Sequence, residues 1–142
     1  GGTRYSMHFL NKITTNDGKI EEEYQPKVES KIEIKKENLD AIFRGMFLVT
    51  TGPRGTLRSY FKDFPVNVAA KSGTAQQSSK RSEHTTFVAF APLEDPQISV
   101  CVIIPFGNGT TGPAPKVAKA AISEYLKLDY ESELKSYDTL LH

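Results

Sequence analysis

Lys71-Ser72-Gly73-Thr74 places a fixed positive charge, two hydroxyls and a residue without a side chain within four positions, inside residues 66–75, which read as a strand. A peptide ending in a carboxylate would suit such a run if it lay alongside as an added β-strand. Lys71 would supply the charge, and the hydroxyls of Ser72 and Thr74 would donate to the carboxylate or to the peptide. Gly73 would let another backbone approach closely. The amide of Thr74 would be one donor of an oxyanion hole. The competing reading is a surface strand with a solvated lysine and a bulge glycine.

A nucleophile is harder to find. Ser-x-x-Lys occurs twice, as Ser59-Tyr60-Phe61-Lys62 and Ser132-Glu133-Leu134-Lys135. A serine of that kind needs the lysine one helical turn on and buried enough to act as a neutral base. Ser59 falls in a loop ahead of Lys71 and Ser132 in a charged C-terminal segment, so neither is read as a nucleophile. Gly107-Asn108-Gly109-Thr110-Thr111-Gly112 fits Gly-x-Gly-x-x-Gly between a strand and a helix, the setting of a dinucleotide-binding turn. That function needs a further parallel strand after the helix, and a polar tail follows instead, so a flexible connection is the better reading. His8, His84 and His142 have no ligand spacing with one another or with Cys101; no metal and no cofactor are expected, and His84 reads as the opening of a strand.

The elements that position these residues follow from periodicity. Residues 3–13 and 27–35 suit two strands joined by the turn chemistry of Thr15-Asn16-Asp17-Gly18, which predicts a two-stranded, half-exposed hairpin. Leu39, Ile42, Phe43, Met46 and Phe47 share one helix face, with Asn38 as the expected N-cap and Gly52-Pro53-Arg54-Gly55 as the break into a loop reaching Pro65. Strands over 66–75, 85–91 and 98–106 follow, and the short turn Pro92-Leu93-Glu94-Asp95-Pro96 requires the last two to pair antiparallel. Residues 76–83 are polar and aperiodic, which predicts a mobile loop. A closing helix from about Pro115 carries Ala118, Ala121, Ile122, Tyr125 and Leu126 on one face. The fold class is α+β: an antiparallel sheet with packed helices.

Composition narrows the function by exclusion. The 142 residues suffice for one hydrophobic core, 38% are hydrophobic and 25% charged, and no apolar run approaches the roughly 18 residues that would cross a bilayer. Eighteen basic against seventeen acidic residues leave +1, so nothing in the charge favours nucleic acid or an anionic surface. Cys101 lies in the apolar run 98–104 and is expected to be a small core residue. The chain opens on Gly1-Gly2-Thr3 without a targeting signal, so any signal of a longer parent is expected to lie outside it.

Six segments in order resemble class B penicillin-binding proteins over almost the whole chain. They are Gly1-Gly2-Thr3; Gly45-Met46 with Gly52-Pro53-Arg54-Gly55-Thr56; Ala69-Ala70-Lys71-Ser72-Gly73-Thr74-Ala75-Gln76; Phe87-Val88-Ala89-Phe90-Ala91-Pro92; Pro96-Gln97-Ile98-Ser99-Val100; and Pro113-Ala114-Pro115-Lys116-Val117-Ala118. Gly-Pro-x-Gly-Thr combined with Ala-Ala-Lys-Ser-Gly-Thr-Ala-Gln is most similar to the penicillin-binding protein 2 group, the elongation transpeptidases, with a division or sporulation relative as the alternative.

This resemblance implies that residues 1–142 are a partial transpeptidase domain, the C-terminal portion of the serine β-lactamase-like fold. The family's Ser-x-x-Lys nucleophile and Ser-x-Asn motif would precede Gly1. The parent would cross-link peptidoglycan stem peptides through a serine acyl-enzyme, and β-lactams would acylate the same serine. It would stand at the extracytoplasmic face of a bacterial plasma membrane, anchored by a helix not in this chain. Lys71 and Thr74 would be catalytic, and Ser72, Gly73 and Gln76 would bind substrate. The expected partners are the stem peptide, β-lactams, the missing N-terminal part of the domain and a second copy of the chain. Rival readings are a β-lactamase or β-lactam sensor, and a non-catalytic binding or assembly module.

Overall fold

A computed structural model describes residues 2–76, 81–107 and 112–128. The chain divides into two units, Gly1–Asp40 and Ala41–His142. In the first, the expected hairpin is present as two nested ladders with a break between them. β1 (Thr3–Tyr5) pairs antiparallel with β4 (Val28–Lys31), and β2 (Lys12–Thr14) pairs with β3 (Ile20–Glu23). Thr15-Asn16-Asp17-Gly18 does make the turn, but between β2 and β3, closed by the Gly18 amide donating to the Thr15 carbonyl at 2.9 Å. The ladders run one bond beyond each pair, Ser6 N–H to the Lys27 carbonyl and Tyr24 N–H to the Asn11 carbonyl, and stop on either side of Gln25-Pro26. Pro26 has no amide to donate, so a continuous ladder fails there.

Helix α1 (Lys36–Thr51) starts two residues before Asn38, whose amide donates to the Lys35 carbonyl from inside the first turn; the cap expected at Asn38 is therefore misplaced. In the second unit, Phe43 of α1 meets the Phe90 ring edge-on, with centroids 5.0 Å apart. The loop expected up to Pro65 contains a short helix, α2 (Arg58–Phe61), which puts Leu57 and Phe61 into the core. The chain turns back tightly to reach it. A Cβ on Gly55 would lie 2.5 Å from the carbonyl oxygens of both Leu48 and Val49, so only glycine allows this approach.

Three strands form one antiparallel sheet in the order β5-β6-β7: β5 (Ala69–Ala75), β6 (His84–Ala91) and β7 (Ile98–Ile104). Its inner face carries Ala70, Phe87, Ala89 and Ala91, on which α3 (Ala114–Tyr125) lays Ala114, Ala118 and Ile122. Alanines on both sides let helix and sheet come close, while Phe87 fills the remaining space and stacks at 6.2 Å on Phe61. Pro115 stands in the first turn of α3, as expected.

The β7 face opposite that core explains why Cys101 is exposed rather than buried. Ile98, Val100, Val102 and Ile104 point inward, so Ser99, Cys101 and Ile103 point outward, and Ile103 is 63% exposed. With Ser99 as its one polar residue, the run gives little sign of that alternation. The loop expected at 76–83 lies outside the described residues at 77–80, as do Ser132, Lys135, His142 and positions 108–111 of the glycine-rich run.

Candidate functional site

The site predicted at Lys71 to Gln76 is a sheet edge. Among the described residues β5 has β6 on one side only, in the register Lys71↔Val88, Ser72↔Phe87, Gly73↔Thr86 and Thr74↔Thr85. Period-two alternation divides the motif. Lys71 and Gly73 share the outer face with Thr86 and Val88, while Ser72 and Thr74 share the inner face with Phe87 and Thr85. Lys71, Thr74 and Gln76 are exposed, Gly73 is half-buried, and Ser72 is only 7% exposed. What all of them present together is the open backbone edge.

Two tethers fix that edge. The Thr50 hydroxyl, buried at the end of α1, donates to the Val68 carbonyl at 2.6 Å, one residue before β5 begins. Asn67 next to it accepts the Leu93 amide at 2.9 Å, and its side chain donates to the Glu94 carboxylate. That bond, with a second from the Glu94 backbone, holds the Glu94 pKa below its ordinary value. The turn between β6 and β7 is thereby tied to the approach to β5.

On the motif itself, the Lys71 ammonium donates to the Ser72 carbonyl. A Cβ on Gly73 would overlap the Thr86 hydroxyl oxygen and stand 3.7 Å from Thr86 Cβ. At the far end of β6, His84 opens the strand as expected. Its Nδ1 accepts the Phe106 amide at 3.3 Å and its ring tilts against Phe106 at 4.8 Å, while the Arg81 guanidinium lies 5.7 Å from the same ring.

Ser59 and Lys62 are exposed, and Lys62 pairs with Asp63 at 3.5 Å, so the two do not form a buried serine–lysine pair. His8 stacks on Tyr24 at 3.5 Å, and among the described residues no three His, Cys, Asp or Glu side chains gather as a metal site. A cleft of about 410 Å3 between α1 and the 52–56 turn, walled by Leu48, Pro53 and Arg54, contains none of the motif residues.

Residues 1–124 match the family model described as the penicillin binding protein transpeptidase domain. The chain belongs to the penicillin-binding protein transpeptidase family. Penicillin-binding protein 2B of Streptococcus pneumoniae (strain D39) is 30% identical over 137 residues, covering 89% of this chain and 20% of that protein. The peptidoglycan D,D-transpeptidase MrdA of Escherichia coli K12 is 34% identical over 98 residues, covering 59% of this chain and 15% of that protein. Among solved structures, penicillin-binding protein 2B from S. pneumoniae R6 superposes with a TM-score of 0.73 at 26% identity, over 91% of this chain and 23% of that one. Pseudomonas aeruginosa PBP2 in complex with WCK 5153 gives 0.65 at 34% identity, over 81% and 24%. The chain thus spans about a fifth of the length of these relatives. Its α+β architecture is that of the penicillin-binding protein transpeptidase domain, and its named relatives include class B members.

Sequence reasoning found the motif strand and missed its supports. Thr50, Asn67 and Thr86 act across distances that only the folded register brings together. No local spacing marks any of them.

Proposed function

We propose that this chain is the substrate-binding part of a peptidoglycan D,D-transpeptidase, and that the motif edge of β5 receives the stem peptide. The observation that carries this is the single-sided pairing of β5, which leaves the Lys71 ammonium, the Thr74 hydroxyl and the backbone of the motif on an edge open to a further strand. A peptide laid there would bring its terminal carboxylate to the Lys71 ammonium, drawing it from the Ser72 carbonyl it now meets. Thr74 would donate through its hydroxyl, and through its amide to the oxyanion that forms when a serine attacks the penultimate D-alanine carbonyl. Gln76, exposed just beyond the strand, would contact the peptide further along. Ser72 contributes least by its hydroxyl, because 7% exposure leaves that group little access, and most by its backbone.

The acyl-enzyme would form on a serine outside this chain, D-alanine would leave, and a neighbouring amine would take the acyl group. β-Lactams would acylate the same serine. The parent would act at the extracytoplasmic face of a bacterial plasma membrane, in wall elongation and cell shape; the similarity to proteins named PBP2 and MrdA supports this. Among the described residues no helix is long and apolar enough to cross a membrane.

The test uses the full-length protein. It should release D-alanine from a synthetic stem pentapeptide and gain the mass of one benzylpenicillin, with the adduct on a serine outside residues 1–142. Absence of both reactions, or an adduct on Ser59, would overturn the proposal.

A further inference from the structure

A glycine in the motif can serve either an incoming ligand backbone or a neighbour within the sheet, and the register favours the neighbour. Gly73 stands directly opposite Thr86, and the space its missing side chain would occupy is filled by the Thr86 hydroxyl. Thr86 is half-buried on the outer face, the same face as Lys71, and Lys71 and Ala75 flank Gly73 on that face two residues to either side. A β-branched threonine has few rotamers in a strand, so it cannot turn freely out of the way. A methyl group at position 73 must therefore drive Thr86 from its rotamer or lift β5 away from β6 between Lys71 and Thr74.

We infer that Thr86 is what holds position 73 to glycine: its side chain, seated over Gly73, fills the space a larger residue would need, so that only glycine lets β5 keep the height that places Lys71 and the Thr74 amide. This rests on the assignment of β5 as the binding edge. On this account the glycine is required by a neighbour on β6, not by the incoming peptide. The two explanations make opposite statements about a double variant.

Acylation of the full-length protein by a fluorescent penicillin separates them, read as the rate constant at saturation and the apparent dissociation constant per titrated site, with melting curves to confirm folding. Gly73→Ala should lower the saturating rate constant at least ~10-fold, since displacement of a reacting group by about 1 Å costs up to ~100-fold. Thr86→Ala alone should stay within ~3-fold, and Gly73→Ala with Thr86→Ala should recover most of the loss, a coupling that only residues in contact produce. If Gly73→Ala alone fails to fold, the double variant carries the test: folded and labelled supports the inference, unfolded overturns it. A double variant as slow as Gly73→Ala also overturns it, because the space would then belong to the ligand. Lys71→Ala is the control. If it acylates at the native rate, the binding-edge assignment fails and this inference with it; if it is slow while the double variant is unrescued, only this inference fails.

Discussion

Replacing Thr50 by Val removes the hydroxyl that joins the end of α1 to the approach of β5 while keeping the side chain's shape. The Thr50 oxygen lies 2.6 Å from the Val68 carbonyl and 2.8 Å from the Phe47 carbonyl, but it has one proton. Phe47 also accepts the Thr51 hydroxyl at 2.9 Å, so the proton is best used on Val68. Thr50 is 1% and Val68 2% exposed, which leaves little water to replace the lost donor. A buried acceptor deprived of its partner costs about 1–3 kcal/mol. That range corresponds to a fall of about 5- to 140-fold in the folding equilibrium constant. The assay is urea unfolding of full-length Thr50→Val, followed by intrinsic fluorescence and by circular dichroism. Thr50→Ser is the comparison: it keeps the hydroxyl and gives up one methyl, about 0.8 kcal/mol plus any cavity left behind. Thr50→Val should be the less stable of the two. A loss below about 0.5 kcal/mol, the range of an unremarkable surface change, would refute the claim that this bond anchors β5.

Other outcomes follow from the same coordinates. Phe87→Ala empties the space between Phe61 and the alanines of α3 and should cost about 3–5 kcal/mol, read as a lower melting temperature of the full-length protein. The Glu94 pKa is depressed in the folded state, so its stabilisation is fully present above the ordinary carboxylate range and is lost as pH falls through the lowered value; Asn67→Ala should flatten that acid limb in melting curves taken from neutral to acid pH. The isolated chain should bind a hydrophobic dye or self-associate through the outer sheet face, where Val88 and Ile103 are exposed; a monomer in sedimentation with weak dye binding would contradict this. The same isolated chain should remain unlabelled by fluorescent penicillin, and labelling at any of its serines would contradict the proposal that the nucleophilic serine lies outside it.

The three strands and α3 of the second unit are readable because period and punctuation agree in them, whereas α2 is too short to show a period of its own. The 98–104 run, the Pro92 and Pro96 turn and the alanine face after Pro115 fall within a few residues of β7, its connection and α3. What sequence could not supply was the partner of each face. Cys101 was misplaced because an apolar run does not say which of its alternating sides a helix will cover. The break in the hairpin is not legible, because Pro26 interrupts a ladder that turn chemistry alone predicts to be continuous. The motif residues were legible by type and order, but the division of Lys71 and Gly73 from Ser72 and Thr74 became visible only with the β5–β6 register.

Lys71→Ala in the full-length protein tests the central claim most directly. Lys71 is exposed and none of the core residues depends on it, so unfolding should be unchanged. Acylation by fluorescent penicillin at a concentration below saturation should slow by about 10-fold or more, since a hydrogen bond to a charged group contributes about 1.5–3 kcal/mol. Acylation at the native rate by a folded Lys71→Ala protein would mean that the open edge of β5 is not where substrate binds.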